Sequence, residues 1–174
     1  MRQLGQAIGS ANTNVVAYHF GTKDDLVVAV IRQRLTILEA RRAELLAKLP
    51  NEGANASLSD LLDVLYRPFF EQTNDEGKHS YVAFLASLIR SDLMPIRAAM
   101  SDEFPVTQKV IDGLVAHTPK SATPVLSARM QVMTQMVFAY LQHIDQRGLT
   151  GPAAESAFAD CLRVVRAALE APSQ

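Results

Sequence analysis

The chain contains no tryptophan, a single cysteine (Cys161), and only eight glycines and eight prolines in 174 residues. One cysteine excludes an intrachain disulfide and any zinc site built on cysteine pairs, and it fits a reducing cytoplasm, where the protein is expected to reside. No apolar run approaches the roughly 20 residues of a membrane span. The polar stretch from Arg2 to Gln6 is unlike the start of a secretory signal peptide. The charges nearly cancel, with 17 Lys and Arg against 18 Asp and Glu, a formal net charge of −1. Overall electrostatics therefore give no case for nucleic acid, and any such case must rest on a local cluster. No internal repeat, low-complexity segment or convincing strand is visible.

What is present favours helix. Nearly half of the residues are hydrophobic and a fifth are charged, ordinary for a globular chain. Leu, Ala, Val, Met, Arg and Gln dominate the long segments, so the expected fold class is all-α. Met1 to Gly9 reads as a short helix, with Gly5 marking close approach of a neighbour. Val15, Val16 and Phe20 anchor a second short helix, which Gly21 ends. Thr22 then opens a long helix as N-cap, with Asp25 completing a capping box. Leu26, Val30, Ile31, Leu35, Leu38, Leu45 and Leu49 keep helical spacing until Pro50.

Further along, Ser57 and Asp60 predict a second capping box and a helix to about Phe70, kinked at Pro68. Tyr81, Phe84, Leu85, Leu88 and Ile89 form an amphipathic stripe ending near Ser91 and Asp92. Pro95 suits a first helical turn, and the helix it opens is expected to be interrupted at Pro105 and to run to about His117. Thr118 to Pro124 reads as a loop. The last two helices, about Val125 to Arg147 and from Pro152 onward, are the most regular, and Gly148 closes the first of them.

The segment Asn12 to His19 is neither greasy enough for a core helix nor charged enough for a fully solvated one. It mixes a few apolar anchors with amides, a hydroxyl, a Tyr and a His. Such a surface suits a helix that presents polar edges to the major groove of DNA. On the residues alone, a helical hairpin with an Asn-rich turn and no ligand fits as well.

The run Arg2-Gln3-Leu4-Gly5-Gln6-Ala7-Ile8-Gly9, followed by Tyr18-His19-Phe20-Gly21-Thr22-Lys23-Asp24-Asp25-Leu26, closely resembles the helix-turn-helix of TetR-type transcriptional regulators. The resemblance covers about 30 residues. It implies a helix-turn-helix DNA-binding head over residues 1–45 and a helical ligand-binding and dimerisation domain over 46–174. It also implies a further helix ahead of Arg2, so the head is expected to be incomplete in this sequence, its first helix absent. The implied function is that of a homodimeric repressor, released from operator DNA with two half-sites by a small hydrophobic or amphipathic effector. No cofactor, metal or membrane contact is expected.

By that resemblance, Asn12, Thr13, Asn14 and Ala17 lie in the major groove, where Asn can pair with adenine edges. Tyr18, His19 and Lys23 hold phosphates. Leu65, Phe69, Tyr81, Phe84, Leu88, Met100 and Phe104 are candidate walls of an effector pocket, with His79, Tyr81, Arg90 and Arg97 as its polar groups. A large aromatic at helical spacing equally fits an ordinary core. Met133, Val137, Tyr140, Leu141, Phe158, Leu162 and Val165 are candidates for a dimer interface built as a four-helix bundle. The same stripe could instead close the subunit's own core.

Enzyme chemistry is poorly supported. Glu76-Gly77-Lys78-His79 spells half of a helical di-iron motif, but a second copy and two more glutamates are lacking, and the Gly places it in a break. His117 and His143 have no partner at ligand spacing. Cys161 sits on an apolar stripe, where cysteine is usually inert. The alternatives to a regulator are a dimeric helical interaction module without DNA binding and, less well supported, a helical-bundle enzyme.

Overall fold

Both expected capping boxes form, and they set where the first two helices begin. Thr22 Oγ1 accepts the backbone N–H of Asp25, and Asp25 Oδ2 accepts that of Thr22, at 3.1 and 2.9 Å. Ser57 and Asp60 repeat the exchange at 3.2 and 2.9 Å. Each box satisfies amide donors that the first turn of a helix leaves without partners. These features belong to a computed structural model, which describes residues 22–50, 55–89 and 103–172.

Six α-helices lie among the described residues: α1 (Lys23–Ala47), α2 (Leu58–Glu71), α3 (Ser80–Ile89), α4 (Pro105–His117), α5 (Thr123–Arg147) and α6 (Gly151–Glu170). The described chain is all-α. The boundary expected near residue 45 falls inside the continuous α1, which packs against α2 and α4. The helix expected at 1–9, the one before Gly21, and Pro95 all lie outside the described residues.

One boundary differs from expectation. The stretch Thr118 to Pro124 is not simply a loop. A 3₁₀ turn at Lys120–Ala122 leads directly into α5, which starts at Thr123 with Pro124 in its first turn. Proline fits there because a first-turn N–H has no intrahelical acceptor. For the same reason Pro105 fits as the first residue of α4, which ends at His117 as expected; the residues from Pro95 to Asp102 lie outside those described. Within α2 the helix continues past Pro68 to Glu71.

Phe104, at the N-cap of α4, supplies no side-chain cap. Glu39, from the middle of α1, takes that role. Its carboxylate accepts the backbone N–H of Val106 at 2.5 Å, and its Oε2 accepts the N–H of Thr107 at 3.1 Å and the Thr107 hydroxyl at 2.5 Å. A carboxylate at the positive end of the α4 dipole is favourably placed. The cap therefore comes from tertiary structure, and it fixes how α4 lies on α1.

α5 and α6 form an antiparallel pair turned by Gly148, whose φ of 61° is left-handed. The N–H of Leu149 returns to Ile144 O at 3.1 Å, closing the C-terminal turn. α2 packs into this pair, and Phe70 stacks on Phe158 at 4.6 Å. The dimer stripe expected on α5 and α6 needs correction here. Met133, Val137, Leu141, Phe158 and Val165 are each at most 2% exposed within the single chain. They lie in the core of their own subunit and are not exposed to a partner. Tyr140 and Leu162 are half-buried. The apolar residues left outside on this pair are others, chiefly Val132, 64% exposed, and Val164, 50% exposed.

Candidate ligand-binding cavity

A cavity of about 260 Å³ lies between the helices. Ile31 and Arg42 of α1 form one wall; Leu65, Tyr66 and Phe69 of α2 form the next. Leu85, Leu88 and Ile89 of α3, with Ile111 of α4, add aliphatic surface. α5 closes the space with Ser127, Met130, Gln131, Thr134 and Phe138. Ser127 and Gln131 are exposed, so the cavity reaches solvent past them.

Of the residues expected to line a pocket, Leu65, Phe69 and Leu88 do so. Tyr81 and Phe84 do not. Tyr81 is buried one turn before Leu85, its ring 6.5 Å from Phe69 and 6.1 Å from Phe84, as part of an aromatic stack. Phe104 is buried at the start of α4, away from the lining. Met100, Arg90 and Arg97 lie outside the described residues.

Neither His79 nor Tyr81, expected as polar groups of the pocket, is among its described lining residues. His79 is 3% exposed, but its ring is held between Asp145 and the Phe70 carbonyl. That engagement also answers the partial di-iron motif: both ring nitrogens have protein partners, and Glu76 pairs with Lys78 at 3.1 Å. Among the described residues no cluster of His, Cys, Asp and Glu could hold a metal ion.

The polar lining instead comes from Arg42, Tyr66, Thr134, Ser127 and Gln131. Thr134 Oγ1 lies 2.9 Å from Met130 O and 3.0 Å from Tyr66 Oη, a pair in which either hydroxyl can donate. Arg42 is only 1% exposed. Its Nε and Nη2 both donate to Leu65 O, at 3.2 and 3.0 Å, and Nη1 donates to Thr107 Oγ1 at 2.9 Å. The guanidinium also sits over the Phe69 ring, 5.3 Å from its centroid. Burying a charge is costly unless hydrogen bonds replace its hydration. Here α1, α2 and α4 all converge on one cation. Sequence reasoning passed over Arg42 because a charged residue in a long helix normally faces solvent. Its position seven residues after Leu35, on the buried side of α1, was the available signal.

The expected DNA-contacting residues Asn12, Thr13, Asn14, Ala17, Tyr18 and His19 lie outside the described residues, as does the side chain of Lys23, whose backbone begins α1. No family model matches the chain, and neither a curated protein nor a solved structure matches it. No helix among the described residues is long and apolar enough to cross a membrane.

Proposed function

We propose that the chain is a ligand-responsive, DNA-binding transcriptional regulator of the TetR type, acting as a homodimeric cytoplasmic repressor. The observation that carries this reading is the course of α1. Its capped start follows the Tyr18–Gly21 segment directly, and farther along it supplies Ile31 and Arg42 to the cavity. One rigid element thus joins the segment read as the DNA-contacting helix to the space read as the effector site. A small molecule that favours one tilt of α1 over another would bias the position of the head. The shift is limited by the ligand's differential affinity for the two arrangements, about 1.4 kcal/mol for each tenfold.

In this reading Asn12, Thr13, Asn14 and Ala17 face base edges, and Tyr18, His19 and Lys23 hold phosphates. Dimerisation places two heads on two half-sites. It uses the outer sides of α5 and α6, where Val132 and Val164 remain exposed. Fluorescence anisotropy of the full-length protein on DNA from its own upstream region, at several salt concentrations, tests the reading. Tight binding with a steep negative salt slope is expected, and Tyr18→Ala and Lys23→Ala each weaken it without altering the fold. Affinity no greater than for random DNA would instead favour a helical interaction module.

A further inference from the structure

We infer that His79 is held in the fold as a doubly protonated imidazolium, and that with Asp145 it forms a proton-dependent lock on three helices that wall the cavity. This goes beyond the regulator reading and does not depend on it. Both ring nitrogens face acceptors: Nδ1 lies 2.6 Å from Asp145 Oδ1, and Nε2 lies 2.9 Å from the Phe70 carbonyl oxygen. Neither a carbonyl oxygen nor a carboxylate has a proton to give, and a neutral imidazole has only one N–H. A neutral ring therefore sets one nitrogen lone pair against an oxygen lone pair, at a residue that is 3% exposed. Two ring protons satisfy both contacts. The second proton belongs to the ring and not to Asp145, because a carboxylic acid is the stronger acid. Asp145 Oδ2 also accepts the His79 backbone N–H at 2.9 Å, a bond that an ionised carboxylate strengthens. The ring stacks on Phe70 at 5.9 Å, and an aromatic face attracts a cation.

The other charged side chains on these elements are paired with one another or exposed. On α2, Arg67 lies over Phe70 but is held by Asp63 and Glu155, and Glu71 is held by Arg41. In the turn before α3, Glu76 pairs with Lys78, and Asp75 is exposed. On α5, His143 and Arg147 are exposed, and α3 carries no charged residue. Asp145 thus holds the Nδ1 proton, and the Nε2 proton is the one that can leave. Its loss breaks the bond to Phe70 and unfastens the end of α2 from the start of α3 and the last turn of α5. These helices carry Leu65 and Phe69, Leu85 and Leu88, and Met130 and Phe138 into the cavity. Acid therefore fastens the walls and alkali loosens them.

Nitrogen-15 spectra of the full chain at about pH 8, where an unconstrained imidazole is neutral, test the assignment. The His79 ring, identified by its contacts with Phe70 and by loss of its signals in His79→Gln, shows two protonated nitrogens. One bare nitrogen would overturn the proposal. Asp145→Asn, checked for unchanged helicity, turns the ring into a neutral tautomer with one bare nitrogen; a ring that keeps both protons there would remove Asp145 from the lock. In urea unfolding, the gap in midpoint between the native chain and His79→Gln is widest in acid and narrows as pH rises, because the folded chain holds a proton that the unfolded one gives up. A gap that is the same at pH 6 and pH 9 would show that the contact is structural only and would overturn the proton dependence.

Discussion

His79 and Asp145 are joined twice. The His79 backbone N–H donates to Asp145 Oδ2 at 2.9 Å, and His79 Nδ1 lies 2.6 Å from Asp145 Oδ1. The other ring nitrogen, Nε2, lies 2.9 Å from Phe70 O, and the ring stacks on Phe70 at 5.9 Å. One side chain thus pins the last turn of α2, the start of α3 and the last turn of α5. Removing either partner leaves buried polar groups unmatched. His79→Ala and Asp145→Ala are each expected to cost about 3 kcal/mol in urea unfolding. The double variant should reveal a coupling of at least about 1 kcal/mol. Additive losses would show that the pair does not act as a clamp.

Cys161 is 1% exposed on the inner face of α6, and burial pushes its thiol up from 9.0 to about 11, with the nearby Asp160 carboxylate adding to the shift. The native protein should therefore resist thiol reagents at pH 8, reacting at full rate only after unfolding. Because the folded value is the higher one, the stabilisation is complete below pH 9 and is lost as pH rises toward 11. Cys161→Ala should remove that part of the alkaline decline in melting temperature. Rapid labelling of the folded protein at pH 8 would contradict the burial.

Arg41 grips Glu71 with two parallel bonds, Nε to Oε2 at 2.7 Å and Nη2 to Oε1 at 2.8 Å, tying α1 to the end of α2. These bonds hold the Glu71 carboxyl below its ordinary value. A lowered carboxylate stabilises the fold above the unfolded value of about 4.5 and ceases to do so as pH falls through the folded one. Glu71→Gln should lower stability at pH 7 by no more than about 1 kcal/mol, because the pair is partly exposed. The difference should vanish in acid; a difference that persists at pH 3 would mean packing, not charge, is responsible.

Gly113 lets α4 lie close on α2. A Cβ there would meet Leu61 Cδ1 at 2.9 Å. In an open helix, alanine is better than glycine by about 1 kcal/mol. Here that gain is offset by displacing the tip of Leu61, so Gly113→Ala should be close to neutral. Gly113→Leu cannot be accommodated by moving one methyl group and should cost about 1–3 kcal/mol by chemical denaturation. A neutral Gly113→Leu would indicate a looser α2–α4 contact.

The exposed face of α5 and α6 gives a direct test of self-association. Val132→Asp with Val164→Asp should halve the solution mass measured by light scattering, while leaving helicity intact, since both side chains are half or more exposed. A dimeric mass retained by the double variant would move the interface elsewhere.

Helix starts and stops were legible in the sequence because they depend on residues three or four apart. The Thr22–Asp25 and Ser57–Asp60 boxes, Pro105 and Gly148 act through their own backbone neighbourhood, and each behaves in the fold as local chemistry dictates. Leu65, Phe69 and Leu88 could be anticipated as cavity walls for a related reason, since apolar periodicity identifies an inward face. It does not say what stands opposite. Met133, Val137 and Phe158 read as a stripe, and only the docking of the other helices, α3 on α5 and α2 on α6, decided that they lie in one subunit's core instead of meeting a second copy. The Glu39 cap on α4 and the burial of Arg42 join residues more than 60 and more than 20 positions apart. Such pairings depend on the relative rotation of whole helices, a quantity set by how all their side chains interlock and by no single stretch of chain.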